Sequence, residues 1–69
     1  MAGKPQSSIR LAINACIVRC SQSRSAALCL AEFIQELGQM GWDYESLWQV
    51  EQGALEALRT NAERERLLA

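Results

Sequence analysis

The chain contains no histidine, a single proline, one tyrosine, one phenylalanine and two tryptophans, and no long uninterrupted apolar run. Without histidine it lacks the side chain that titrates most readily near neutral pH and the usual nitrogen ligand of zinc. The three cysteines, Cys16, Cys20 and Cys29, are an odd number, which excludes a fully paired intrachain disulfide framework. Cys16 and Cys20 are one helical turn apart, so on a helix their side chains run alongside each other instead of converging. A four-ligand zinc site would need carboxylates or a second chain, and no metal or cofactor is expected. The cysteines read as small buried hydrophobes, which fits a reducing, cytoplasmic setting.

A strong charge of either sign is also missing. Seven Lys and Arg against eight Asp and Glu leave a formal charge of −1, the wrong balance for a protein that binds by neutralising phosphates, so direct nucleic-acid binding is not expected. Asn14, Arg19 and several serines interrupt the early apolar stretch, which argues against both a signal peptide and a membrane span. Glycine-rich phosphate loops, Ser-His-Asp or Cys-His arrangements and acids paired at catalytic spacing are absent. The expectation is a protein with no catalytic residue and no small-molecule substrate.

What is present is helical periodicity. Met1 to Gln6, holding Gly3 and Pro5, read as a flexible arm, and residues 7–69 as a single helical domain. Ser7 or Ser8 can cap a helix, and Ile9, Ile13, Cys16, Cys20, Ser23, Ala27, Leu30, Ile34 and Leu37 then follow at alternating spacings of four and three. Three serines between Ser21 and Ser25 could mark a loop. Because Cys20 and Ala27 keep one register across them, the pattern favours a single helix over about residues 8–37, about 45 Å long.

Gly38 and Gly41 mark a hinge. Asp43 suits an N-cap, Glu45 complements the helix dipole, and Trp42 can staple onto Leu47. A second helix is expected over about residues 44–68, with Gly53 as an interior weakness of about 1 kcal/mol relative to alanine. Folded antiparallel, Ile34 faces Leu47, Leu30 faces Glu51, Ala27 faces Ala54 and Ser23 faces Leu58. The fold class is therefore all-α, an antiparallel helical hairpin.

Helix one carries a second apolar band, Leu11, Ala15, Val18, Ala26, Cys29 and Phe33, which a hairpin leaves uncovered. A homodimeric four-helix arrangement is expected to bury it, with Leu11, Ala15, Val18, Cys29 and Phe33 at the dimer interface. The competing arrangement is a three-helix fold, broken near Ser23, that wraps the band inside one chain.

The candidate partner-binding residues gather near the hinge. Trp42, Tyr44 and Trp48 crowd seven positions, with Phe33 and Met40 near them, and such rings either close a small core or anchor a binding surface. Glu51 sits among Leu47, Trp48, Ala54 and Leu55, where it either awaits a partner's cation or pairs with an arginine such as Arg19 or Arg24. Arg59, Glu63, Arg64, Glu65 and Arg66 form a charged, solvated helix end, and Leu67 and Leu68 beyond them could enter a groove on a partner.

One seam-bearing helix, a Gly38 to Gly41 hinge followed by Trp42-Asp43-Tyr44, and a second helix ending in charge resemble the small anti-activator proteins of Mu-like temperate phages of Pseudomonas. The resemblance lies in size and layout over the whole chain. It implies a helical dimer that binds a LuxR-type quorum-sensing regulator and blocks its DNA binding. It also implies binding of the type IV pilus assembly ATPase, which reduces twitching and superinfection. Near-neutral charge suits helix-in-groove packing better than DNA mimicry. The alternative is a small helical dimerisation or adaptor module that joins larger proteins. A helix-turn-helix repressor is a third reading, disfavoured by the charge balance.

Overall fold

The computed structural model describes residues 3–68, so Met1 and Ala2 of the expected arm and Ala69 of the expected domain lie outside the described residues. Three helices account for most of the rest: α1 (Gln6–Ser21), α2 (Ala26–Gln39) and α3 (Tyr44–Leu68). The all-helical class is as expected. The single helix over 8–37 is not, because the chain breaks between Ser21 and Ala26.

The serines accommodate the break by offering the backbone local partners in place of helical ones. Ser21 Oγ donates to the Val18 carbonyl at 3.0 Å, and Ser23 Oγ donates to the Ser25 carbonyl at 3.1 Å. Ser25 then caps α2, its hydroxyl accepting from the Leu28 N–H at 3.3 Å. The first helix also starts earlier than expected. Pro5, extended at φ −64° and ψ 157°, occupies the cap position, and Ser7 and Ser8 lie inside the helix.

The second turn falls at the expected glycines, but α2 runs on through Gly38 to Gln39, so Gly41 alone supplies the left-handed residue. Gly41 has φ 96°, its N–H donates to the Gly38 carbonyl, and the Trp42 N–H donates to the Leu37 carbonyl, each at 3.1 Å. That is a Schellman arrangement, which needs the left-handed residue that glycine supplies without strain. Asp43 caps α3, accepting from the Ser46 N–H at 3.1 Å and the Ser46 hydroxyl at 2.7 Å. Trp42 and Leu47 both pack on the cluster of Ile9, Ala12, Leu37 and Val50.

Contacts along the helices define the topology. Ile34 lies by Leu47 near the turn, while Ala26, Ala27 and Leu30 lie by Leu58 farther away, so α2 runs antiparallel to α3. Lys4 meets Ser46, Gln6 meets Gln49, Ile13 meets Gly53 and Cys20 lies by Leu58, so α1 runs parallel to α3. The result is an up-down-up bundle with two joined clusters in its core. One is Cys16, Cys20, Cys29, Leu30 and Ala54; the other is Ile9, Ala12, Leu37 and Val50; Phe33 and Ile34 pack against both.

The segment 1–6, expected to be loose, is fastened from Lys4 onward. The Lys4 N–H donates to Ser46 Oγ at 3.0 Å, its ammonium stands 5.1 Å from the Trp42 ring centre, and Gln6 Nε2 donates to Gln49 at 3.2 Å. Among the described residues no helix is long and apolar enough to cross a membrane.

Candidate functional site

The inward face of α3 is Ser46, Val50 and Ala54, with Gly53 beneath Ile13. Turning around the helix toward α2 exposes a groove between the two helices. Its upper end, next to the α2–α3 turn, is a hollow of 230 Å³ lined by Ile34, Tyr44, Leu47, Trp48 and Glu51. Its lower end is a hollow of 220 Å³ lined by Ala26, Ala27, Leu30, Leu55, Leu58 and Arg59. The groove is apolar except for one carboxylate and one guanidinium.

Two of the rings expected to bind a partner stand open to solvent: Tyr44 is 81% exposed and Trp48 is 50% exposed. Met40, at the C-cap of α2, is 74% exposed. An exposed tryptophan and tyrosine one turn apart on the wall of an apolar hollow give rigid contact area together with polar edges. Trp42 is half-buried and faces the core and Lys4, so it helps to hold the turn and presents little area outward.

Phe33 does not join the tip. It is half-buried, packs against both core clusters, and has the Arg19 guanidinium 5.8 Å from its ring centre. Arg19 itself holds Glu36 through two hydrogen bonds of 3.0 Å. That pair answers the expectation of an ion pair between Glu51 and Arg19 or Arg24. Arg19 is committed across α1 and α2, and among the described residues Arg19–Glu36 is the ion pair formed. Glu51 stands half-buried in the groove wall without a cation.

The expected dimer band is divided. Cys29 is buried inside the chain and Phe33 belongs to the core, whereas Leu11 (70% exposed), Ala15 and Val18 (64% exposed) stay on the surface of α1. The reason is the serine break. A chain reversal between Ser21 and Ala26 turns the second half of the band inward against α1 and α3, so the two halves no longer share a face.

Ala27, Leu30 and Arg59 line the groove without having been legible as groove residues, since a register carried through the serines puts Ala27 and Leu30 in a closed seam. Ser46, which is buried at 1% exposure and joins Lys4 to Asp43, is likewise outside the expected set. A serine three residues after an N-cap aspartate was the available signal.

The electrostatics follow these contacts. Hydrogen bonds from the Ser46 side chain and backbone hold the Asp43 carboxyl below its ordinary range, and the Arg19 hydrogen bonds do the same for Glu36. Burial pushes the Cys16 and Cys20 thiols up, and the Cys29 thiol rises chiefly through its hydrogen bond with Cys20. The Cys16 and Cys20 sulfurs are 3.8 Å apart and all three thiols are free and buried. Comparison with known protein families, with curated proteins and with solved structures finds no match to this chain.

Proposed function

We propose that the chain is a small dimeric inhibitor that binds other proteins stoichiometrically through the tip of its α2–α3 hairpin. The observation that supports this most is the exposure of Tyr44 and Trp48, one helical turn apart along an apolar hollow that Glu51 also lines. Rings of this kind, half-seated on a rigid helix, lose little freedom on binding. Following the layout resemblance, the partners are host proteins in the bacterial cytoplasm: a LuxR-type quorum-sensing regulator, kept off its DNA, and the type IV pilus assembly ATPase. A host infected by a temperate phage would thereby lose quorum signalling and twitching, which fits superinfection exclusion.

The adaptor reading has one observation in its favour. Leu11, Ala15 and Val18 form a second exposed apolar stripe on α1, away from the tip, and two separate surfaces suit a module that joins two proteins.

Purified regulator and pilus ATPase decide between them. The chain should bind each and should release the regulator from its DNA in a gel shift. Tyr44→Ala and Trp48→Ala should each weaken binding about tenfold with unchanged far-ultraviolet dichroism. Absence of binding to both proteins would reject the inhibitor reading. Loss of helical signal in either variant would make that ring a core residue.

A further inference from the structure

The exposed stripe of α3 sets unlike, complementary residues at equal distances from its centre. Leu55 lies at its centre, Glu51 and Arg59 four residues to either side, Trp48 and Ala62 seven, and Tyr44 and Arg66 eleven. These spacings keep all of them on one face of a helix with 3.6 residues per turn. Every one is exposed except Glu51, which is half-buried. From the opposite charges of Glu51 and Arg59 at equal distances from Leu55 we infer that α3 is the homodimer interface, two copies packing antiparallel about a twofold axis at Leu55, with Glu51 of each chain meeting Arg59 of the other.

Charge, shape and burial each favour a second copy as the occupant. In an isologous contact, residue i meets j and j meets i, so a surface is self-complementary only if its two halves match across the axis. Here the negative Glu51 and the positive Arg59 stand at equal distances on opposite sides of Leu55, and neither forms an ion pair among the described residues. Antiparallel packing brings them together twice. It also sets the large Trp48 against the small Ala62 and the Tyr44 ring against the Arg66 guanidinium, a stacking arginine favours. Leu55, 40% exposed, meets its own copy at the centre.

The burial pattern points the same way. The buried residues of α3 are Ser46, Val50 and Ala54, and every residue from Arg59 to Leu68 is exposed. The second half of α3 thus has little cover from its own chain. In the dimer it lies along the first half of its partner's α3, and each tip gains a neighbouring segment from the other copy. The pairing specifies the interface of the dimer proposed above and places it on α3, away from Leu11, Ala15 and Val18; because it packs against Tyr44 and Trp48, a host protein that uses those rings takes the place of the second copy, and the two associations are mutually exclusive.

Sedimentation equilibrium of the purified chain tests this without any host protein, so its outcome is separate from that of partner binding. The wild type should sediment at twice the chain mass. Glu51→Arg and Arg59→Glu should each weaken self-association by about tenfold or more, since each sets like charges together at two places. The doubly exchanged Glu51→Arg/Arg59→Glu chain should recover most of the wild-type association, because the pairs re-form with signs reversed. Dichroism checks that each single variant keeps its helices, and the recovery distinguishes pairing from damage. A monomeric wild type would overturn the inference. So would single variants that associate normally, a double variant no better than the singles, or a dimer that dissociates on Val18→Glu but not on Glu51→Arg.

Discussion

The Cδ1 atom of Ile13 stands 2.5 Å from where a Cβ on Gly53 would lie, and Cγ1 stands 3.2 Å from it. Glycine at this point lets α1 and α3 approach closely. Its cost in helix propensity, about 1 kcal/mol against alanine, is set against that contact. Gly53→Ala should therefore bring no gain and should destabilise the fold by about 1 kcal/mol net, because overpacking costs roughly 1–3 kcal/mol. Ile13→Val removes the nearest atom, and Gly53→Ala should be milder in that background. Urea unfolding of the four chains checks it, and additive effects would contradict the contact.

Ser46 ties the N-terminal segment to the start of α3. Its hydroxyl donates to Asp43 and accepts from the Lys4 N–H, and the residue is 1% exposed. Ser46→Ala should destabilise by about 1–2 kcal/mol, the cost of a buried hydrogen bond lost with its partners left behind. Amide exchange at Lys4 should quicken in that variant, while exchange in α2 away from the turn should not.

Ser25 caps the helix that follows the turn. Replacing it by alanine removes the cap of α2 and should cost about 1 kcal/mol. Converting Ser21, Ser23 and Ser25 together to alanine should favour the continuous helix that the register suggested. A rise in helical dichroism with a larger hydrodynamic radius would report it, and an unchanged radius would show that the core alone imposes the turn.

Stability should fall at both ends of the pH scale. The Cys16 and Cys20 thiols are raised by burial, so their contribution is complete below the unfolded thiol value, about 8.5, and is lost as pH rises toward the folded values. Asp43 and Glu36 are lowered, so theirs is complete above the ordinary carboxylate value of about 4 and is lost as pH falls through the depressed values. Urea midpoints should be flat between about pH 5 and 8 and decline outside that range. The thiols should react with a disulfide reagent only as fast as the fold opens.

The sequence by itself determined the helical class, a glycine hinge before the last helix and the Asp43 cap, because each depends on neighbouring residues whose backbone preferences are strong and local. It also determined that Tyr44 and Trp48 would sit near a turn. What only the tertiary structure decided was the break at Ser23, the inward fate of Cys29 and Phe33, and the pairing of Arg19 with Glu36 instead of Glu51. A four-and-three apolar repeat is equally satisfied by one long helix and by two short helices folded together. The choice between them rests on how many apolar side chains a third helix can cover, which is a property of the packed bundle and not of any segment within it.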